Sequence, residues 1–242
     1  MSKGKVYGVG MGPGDPDLMT IRAHRILRNA RNIAYFRKAG RTGRARTIAG
    51  HLLSRNGNEI PLEYPVTTEI PLSDPKYHDA LSEFYEQCTK IILDVIQRNE
   101  DVVLLCEGDP FFYGSFIHLY VRLKPVTMIE IVPGLTGMSA AWTATEKPIS
   151  WGNDVLRILM GTLPEDVLAQ HMQDSDALVI MKIGQNFKKV CRALESAGRY
   201  QSAWLIENAS MAEQNVQRLR DVAHPVVPYF SIIIVHGQGR RI

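Results

Sequence analysis

The sequence predicts an α/β protein with two α/β domains. Short apolar runs of strand length alternate with segments in which apolar residues recur every three or four positions, as they do in amphipathic helices. Three of the predicted strands run directly into loops that carry glycine. The alternation is interrupted at residues 147–153 by Pro148 and Gly152, so we place the domains at residues 1–147 and 148–242.

The first predicted strand ends in a glycine-rich loop at residues 6–15, where glycine occupies every second position from Gly8 to Gly14. Glycine lets the backbone approach a ligand closely, and Asp15 is expected to cap a helix whose first residue is Pro16. A strand, a glycine loop and a helix in this order are typical of a site for a nucleotide-like or anionic ligand. A tight turn without a ligand is the alternative interpretation.

The glycine loop does not match the fingerprints of the common nucleotide-binding folds. In both possible registers of GxGxxG the third glycine is replaced, by Pro13 in one register and by Asp15 in the other. An acidic residue that would hold a ribose is missing after the second predicted strand, which ends in Arg37. The phosphate-loop motif GxxxxGK is also missing from the sequence. These observations disfavour a nucleotide-dependent oxidoreductase.

The bulk composition is that of a globular enzyme. The 242 residues are 45% hydrophobic and 22% charged, and the net charge of +3 is too small to indicate nucleic acid as a partner. Three widely separated cysteines argue against a disulfide framework and suit the reducing cytoplasm. The seven histidines lack the spacing of a metal site, so we expect no metal. We also expect no membrane association, because no apolar run is long enough to span a bilayer.

The densest positive charge follows the second predicted strand, at residues 37–46. Because this strand is expected to lie parallel to the first, the segment is placed at the same sheet edge as the glycine loop. It contains no acid and no aromatic residue, so it favours a small polyanion over nucleic acid as its ligand. A solvated surface loop is the alternative interpretation. The cations are Arg37, Lys38, Arg41, Arg44 and Arg46.

Two later strands also end in loops with glycine. One leads into EGDPFFYGS at residues 107–115, and another leads into PGLTG at residues 133–137. Ligands of open α/β sheets collect at the carboxyl ends of the strands, so we expect the three glycine loops to line one cleft. The adjacent rings of Phe111 and Phe112 are suited to pack against a flat ring system and so form one wall of its site.

The remaining elements follow from the same periodicities. The helical pattern is clearest at residues 77–99, and residues 61–75 are punctuated by proline and predict an extended loop. The last two strands are predicted to pair as a hairpin, which gives the second domain a mixed sheet. Helices are predicted at 16–30, 45–54, 77–99, 115–123, 164–172 and 185–197, and further strands at 33–36, 59–62, 101–106, 127–132, 155–160, 177–182, 203–207, 214–220 and 228–235.

Six blocks of the sequence together resemble a known family, the tetrapyrrole methylases. They occur in the order and spacing of that family: VGMGPGDPDLMT, EGDPFFYGS, VPGLTGMSA, MGTLP, VIMKIG and IENAS. The resemblance extends over residues 6–237. It implies methyl transfer from S-adenosylmethionine to porphyrinoid precursors of cobalamin and sirohaem, with S-adenosylhomocysteine as product. It also implies two α/β domains with the active site in the cleft between them, in a cytoplasmic homodimer.

Within the family, the segments YFRKAGRTGRARTIA, EGDPFFYGS and PYFSIIIV resemble the branch that methylates C-20 of precorrin-2. That substrate is rich in carboxylates, so the resemblance implies that the cations at 37–46 bind it. No residue is identified as a general base; Glu107 and Asp109 are the acids to inspect, either as bases or as hydrogen-bond acceptors for the cofactor. The cofactor contacts of the family are carried over to the matching positions of this sequence. The resemblance implies that the cofactor is lined by Pro13, Glu107, Gly108, Asp109, Phe112, Thr136, Gly137, Met181, Lys182 and Ala209.

Several other functions remain open from the sequence. The cobalt-bearing precursor cobalt-factor II, or the substrate of another tetrapyrrole methylase, is an alternative target. A relative of diphthine synthase or of the ribosomal-RNA methylases would use the same fold on a macromolecule, although the EGDPFFYGS and YFRK blocks disfavour it. A non-enzymatic tetrapyrrole carrier would bind the substrate without consuming S-adenosylmethionine.

Overall fold

The computed structural model describes residues 4–53, 57–66, 74–224 and 226–239. The chain forms two compact units, Met1–Thr136 and Gly137–Ile242, and each contains a five-stranded sheet. This division comes before the boundary that we expected after residue 147. The helix Gly137–Ala144 belongs to the second unit because its Ala141 packs in one apolar cluster with Val179 and Ile206 of the second sheet.

The first unit is built on a sheet of five parallel strands. These are β1 (Lys5–Gly10), β2 (Asn32–Lys38), β3 (Asn58–Tyr64), β4 (Val102–Cys106) and β5 (Met128–Val132). Their order across the sheet is β3-β2-β4-β1-β5, so all five carboxyl ends lie at one edge. Every residue of β4 is buried, as is typical of a parallel strand that is covered on both faces.

Helices cover both faces of the first sheet. Those described are α1 (Ile21–Arg28), α2 (Arg44–Ala49), α3 (Pro75–Gln97) and α4 (Phe116–Leu123). On one face, α1 and α2 pack in a cluster that includes Val103 and Leu105 of β4. On the other face, α3 and α4 pack in a cluster that includes Val102 and Leu104. Alternate residues of one strand therefore supply both cores, as the period of two dictates.

The helix predicted at residues 16–30 is wrong at its start. Asp15 accepts a hydrogen bond from the Asp17 N–H at 2.9 Å and caps only a 3-10 turn. The α-helix begins at Ile21, where Thr20 Oγ1 accepts from the Ala23 N–H at 3.2 Å. The second capping residue therefore sets the start of the helix. The extended loop expected at 61–75 begins within β3, and residues 67–73 lie outside the described residues.

The second unit contains the mixed sheet that we predicted. Its strands are β6 (Leu156–Met160), β7 (Ala177–Met181), β8 (Ala203–Glu207), β9 (Asn215–Arg218) and β10 (Ser231–Val235), in the order β6-β7-β10-β8-β9. The hairpin predicted between the last two strands is wrong, because β9 pairs with β8 and β10 lies between β7 and β8. The apolar β10 is largely buried and takes a central place, whereas the polar β9 lies at the edge.

Helices α5 (Gly137–Ala144), α6 (Glu165–Gln173) and α7 (Phe187–Ser196) complete the second unit. The last two pack on one face of the sheet through Leu168 and Val190, and α5 packs on the other. The three cysteines of the chain are unpaired. Across the described ranges, no helix is long and apolar enough to cross a membrane, and no group of three metal-ligating side chains is placed to hold an ion.

A hydrogen-bonded cluster joins α2 to β2 and β3. Arg46 donates to both carboxylate oxygens of Glu59, from Nε at 3.0 Å and from Nη2 at 2.8 Å. Tyr35 Oη donates to Glu59 Oε2 at 2.9 Å. The hydrogen bonds from Arg46 hold the pKa of the Glu59 carboxyl below its usual range. An ionised Glu59 therefore helps to hold α2 on the sheet.

Glu59→Gln is expected to destabilise the protein by about 1 kcal/mol at neutral pH, because a partly exposed pair loses its charge-assisted hydrogen bonds. Folding lowers the pKa of Glu59, so its contribution is present above the ordinary value of 4.5 and is lost as the pH falls through the lower folded value. Urea unfolding of variant and wild type, at neutral pH and at steps below pH 4.5, measures the difference. A difference that widens in acid would contradict this prediction.

Candidate active site

Three strand-end loops meet at the carboxyl edge of the first sheet. The loops after β1 and β4 form an isolated bridge, in which the Gly108 N–H donates to the Gly12 carbonyl at 2.9 Å and the Gly12 N–H donates to the Gly108 carbonyl at 3.4 Å. The loop after β5 joins them through Gly134, which lies against Gly10 and Gly108. We call the arrangement of Gly10, Gly12, Gly108, Asp109 and Gly134 the strand-end clasp. It confirms the prediction that the three glycine loops share one edge.

The clasp requires glycine because its backbones are in direct contact. A Cβ atom on Gly10 would lie 2.6 Å from the Gly108 carbonyl oxygen, and a Cβ atom on Gly134 would lie 2.2 Å from the same oxygen. Gly8 has a related role, since a Cβ atom there would lie 2.3 Å from the Phe116 ring. The glycine pattern that suggested a ligand loop is therefore explained, at these positions, by packing within the first unit.

Asp109 fastens the clasp through its side chain. Its Oδ1 accepts a hydrogen bond from the Phe111 N–H at 2.9 Å, and its Oδ2 accepts one from the Gly134 N–H at 3.1 Å. One carboxylate thus joins the loop after β4 to the loop after β5. Both of its oxygens are engaged by backbone donors, which fixes its orientation.

Glu107, the other acid of the loop after β4, has different surroundings. Desolvation by nearby protein raises the pKa of its carboxyl to about 7, against the opposing effects of the Arg44 charge and the Ala45 N–H. The Glu107 side chain is nevertheless exposed, and the water that reaches it offsets part of the desolvation. The direction of the shift makes Glu107 a better proton acceptor than an ordinary glutamate.

The other residues predicted to line the cofactor in this unit flank the clasp. Pro13 is buried in the loop after β1. Phe112 is half-buried in the loop after β4, where its ring lies 4.9 Å from that of Tyr113 in an edge-on arrangement. Thr136 follows Gly134 by two positions and is the last residue of the unit. The clasp region thus offers apolar and aromatic surface beside closely packed backbone.

The predicted basic segment is only partly a loop. Its cations are distributed over β2 (Arg37 and Lys38), the following turn (Arg41) and α2 (Arg44 and Arg46). Two of them are engaged by acids of β3: Arg46 bonds to Glu59, and Arg37 Nε donates to Glu63 Oε1 at 2.9 Å. The proposed contact of these cations with a substrate remains a prediction.

In the second unit, residues that were predicted to line the cofactor converge at one edge of the sheet. Met181 ends β7, and Ala209 lies just after β8 in the same apolar cluster. Gly137 begins α5, and its position faces Ile232 of β10. Lys182 follows Met181 with an exposed side chain and a left-handed φ of 54°. The structure thus brings together residues that are far apart in the chain.

A family profile described as Tetrapyrrole (Corrin/Porphyrin) Methylases matches residues 5–222 of the chain. The matched range includes the whole strand-end clasp and, in the second unit, Gly137, Met181, Lys182 and Ala209. The chain belongs to the tetrapyrrole methylase family. The resemblance carried by the six sequence blocks is confirmed, and the protein is a methyltransferase.

Curated relatives of this methylase cover nearly its whole length. Precorrin-2 C(20)-methyltransferase of a Sinorhizobium species is 41% identical over 98% of this chain and 97% of its own. Cobalamin biosynthesis protein CobIJ of Mycobacterium tuberculosis is 40% identical over 99% of this chain, which corresponds to 47% of that longer protein. Cobalt-precorrin-2 C(20)-methyltransferase of Salmonella typhimurium is 28% identical over 97% of each chain.

Solved structures share the fold of this methylase. The cobalt precorrin-4 methyltransferase CbiF matches with a TM-score of 0.74 and 21% identity, over 96% of this chain and 94% of that one. Uroporphyrin-III C-methyl transferase from Thermus thermophilus, complexed with S-adenyl homocysteine, matches with a TM-score of 0.68 and 23% identity, over 96% and 97%. These likenesses confirm the predicted α/β fold of the tetrapyrrole methylase type.

Sequence reasoning missed the two acids of β3 that engage the basic segment. Glu59 and Glu63 are an even number of residues apart in a strand, so their side chains share one face, and that signal could have been read. The register between β2 and β3 could not be predicted from the sequence. Arg37 lies opposite Glu63 only because β2 and β3 pair in parallel in this alignment.

Gly134→Ala is expected to destabilise the first unit by about 1–3 kcal/mol, because the added methyl group meets backbone atoms that no side-chain rotation can move. Thermal unfolding of the purified variant measures the loss.

Gly184→Ala is the matched control, since its position is open and its φ is not left-handed. It is expected to change stability by less than about 0.5 kcal/mol. Equal stability of the two variants would contradict the close contact in the clasp.

Proposed function

We propose that this methylase transfers the methyl group of S-adenosylmethionine to C-20 of precorrin-2, giving precorrin-3A in cobalamin biosynthesis. The observation that carries the proposal is the 41% identity, over nearly all of both chains, to a protein named precorrin-2 C(20)-methyltransferase. The strand-end clasp supports the location of the site, because ligands of parallel α/β sheets bind beyond the carboxyl ends of the strands.

The residues around the clasp fit an adenosyl ligand. Half-buried Phe112 supplies apolar surface, Pro13 is packed in the adjoining loop, and the close packing at Gly108 keeps the loop backbone in a fixed place. When bound, S-adenosylmethionine supplies a methyl group that is activated by its positively charged sulfur. The proposed cofactor contacts are Pro13, Glu107, Gly108, Asp109, Phe112 and Thr136 of the first unit, and Gly137, Met181, Lys182 and Ala209 of the second.

The main task of the protein in this reaction is positioning. C-20 of the reduced macrocycle is electron-rich and forms the new carbon–carbon bond as the bond between sulfur and methyl breaks, which leaves S-adenosylhomocysteine. The proton on C-20 then passes to a base. Holding the two reactants in line can lower the barrier by several kcal/mol, and a rigid clasp is suited to that role.

The two acids after β4 divide the remaining tasks. Asp109 is assigned a positioning role, because both of its oxygens hold backbone N–H groups of the clasp. Glu107 is assigned as the acceptor of the C-20 proton, because its side chain is exposed and the pKa of its carboxyl is raised. The competing role for Glu107 is to accept a hydrogen bond from the cofactor.

The activity is tested by incubating the enzyme with precorrin-2 and S-adenosylmethionine under anaerobic conditions. Mass spectrometry is expected to show the gain of a single methyl group, together with release of S-adenosylhomocysteine. Binding of precorrin-2 without methyl transfer would contradict the proposal and identify a carrier.

The cobalt-bearing ring is the second candidate substrate, favoured by the 28% identity to the Salmonella typhimurium enzyme. Parallel reactions with the cobalt-loaded ring decide between the two. Methylation of that ring alone would move the enzyme to the cobalt-dependent route. The homodimer implied by the family resemblance stays a prediction, which sedimentation of the purified enzyme tests.

Glu107→Gln is expected to lower kcat by at least roughly 100-fold, since an amide cannot accept the proton. In the wild type, kcat is expected to rise with pH as the Glu107 carboxyl ionises, above the ordinary value of 4.5 and no higher than about 7, and the variant is expected to lose this rise. Steady-state rates across the pH range measure both effects. A variant that keeps the pH profile and raises only the KM for S-adenosylmethionine would assign Glu107 to cofactor binding instead.

A further inference from the structure

We propose that Glu63 is an internal counter-ion for Arg37 and that it weakens, and thereby sets, the affinity of the enzyme for the carboxylates of its substrate. The inference rests on the proposed function, since it takes the substrate to be a polycarboxylate ring. It assigns Glu63 a positioning role that acts through Arg37, and no role in the chemical step.

The pair is formed by the parallel register of two neighbouring strands. Arg37 of β2 lies opposite Glu63 of β3. The Arg37 guanidinium donates to Glu63 Oε1 twice, from Nε at 2.9 Å and from Nη2 at 2.5 Å. Both hydrogen bonds go to the same oxygen of Glu63. A guanidinium and a carboxylate interact most strongly when two parallel hydrogen bonds reach both carboxylate oxygens. An incoming carboxylate could therefore make a better partner for Arg37.

The pair lies at the sheet edge that carries the clasp. Both residues are close to the carboxyl ends of their strands, and β2 lies beside β4. The side chains of Arg37 and Glu63 are 29% and 45% exposed, so a dissolved ligand can reach the ion pair. The neighbouring segment 37–46 holds five cations and no acid. Arg46 is already paired with Glu59, and Glu63 adds a second negative charge beside this otherwise basic segment.

A comparison with the second acid of β3 separates a packing role from a binding role. Glu59 has two partners, Arg46 and Tyr35, and joins α2 to the sheet. Within the described ranges, Arg37 is the only hydrogen-bond or ion-pair partner of Glu63. Exposed ion pairs of this kind contribute little to stability. The Arg37–Glu63 pair is therefore not needed to hold the fold together.

The expected consequence is that Glu63 and a carboxylate of the substrate compete for the Arg37 guanidinium. A substrate carboxylate must displace Glu63 from the Arg37 guanidinium or share the guanidinium with it, and it also meets the negative charge of Glu63. Glu63→Gln removes the charge but keeps the size of the side chain and a carbonyl oxygen that can accept from Arg37. The variant is expected to bind the substrate more tightly without a change in the reacting groups.

The test is a double-mutant cycle on Arg37 and Glu63. Glu63→Gln is expected to lower the KM for precorrin-2 roughly two- to fivefold, the range set by an exposed ion pair, with kcat unchanged. Arg37→Ala is expected to raise KM more than it lowers kcat. In the Arg37→Ala background, Glu63→Gln is expected to have a much smaller effect, because it acts through the missing guanidinium.

The matched control is Glu86→Gln. Glu86 pairs with Arg122 at 2.8 Å, and the pair joins α3 to α4. The control removes the same charge from a comparable ion pair of the same unit, so it corrects for the change in net charge. It is expected to leave KM and kcat unchanged.

A raised or unaltered KM in Glu63→Gln would overturn the proposal, and so would an equal decrease in the Arg37→Ala background. Equilibrium binding of uroporphyrin III, an octacarboxylate porphyrin, is measured with the same variants by fluorescence. It needs no methyl transfer, so it reports on Glu63 even if the enzyme fails to methylate precorrin-2. Tighter binding by Glu63→Gln alone supports the counter-ion role, and unchanged binding refutes it.

Discussion

The close backbone contact between Gly10, Gly108 and Gly134 is the constraint on which the candidate site depends. The loops after β1, β4 and β5 form the candidate site, and contacts between these loops are needed to fix their positions. Here the absence of side chains lets the three backbones touch, and the Asp109 carboxylate bonds across two of the loops. The flanking residues, Pro13 among them, are therefore presented by a packed substructure. In methyl transfer to an electron-rich ring, the main contribution of the protein is to hold the methyl donor and the ring in a reactive geometry.

The acids of β3 divide the cations of the basic segment between two roles. Glu59 bonds to Arg46 and so holds α2 on the sheet. Glu63 bonds to Arg37, which solvent can reach. A segment that looks uniformly basic in the sequence thus contains cations with different roles. Arg46 contributes to the fold, and Arg37 is held by Glu63 near the carboxyl end of β2.

The sequence predicted a large part of this architecture. Apolar runs and helical periodicity located the strands and most of the helices, and the glycine loops were correctly expected at one edge, because parallel strands align their carboxyl ends. The error at residues 16–30 arose because two good capping residues, Asp15 and Thr20, follow each other closely. The hairpin error arose because strand pairing depends on which strand is buried on both faces, and β10 is buried more fully than β9.

Other features of the site could not be predicted from a single sequence. The contact of Gly10 with Gly134 joins residues that are far apart in the chain, so their shared need for glycine is visible only once the loops meet. The pairing of Arg37 with Glu63 depends on strand register in the same way. The different surroundings of Glu107 and Asp109 could not be predicted either, although both belong to one short motif: only Asp109 bonds to backbone N–H groups of the loops after β4 and β5.

We propose the strand-end clasp as the cofactor-binding surface of this methylase. A crystal structure of the enzyme with S-adenosylhomocysteine bound tests it most directly. The ligand is expected against the clasp, in contact with Pro13 and the Gly108 backbone, with the Asp109–Gly134 hydrogen bond retained. A ligand bound away from the carboxyl edge, such as in the groove at the opposite edge that is lined by Arg25 and Asn29, would contradict it.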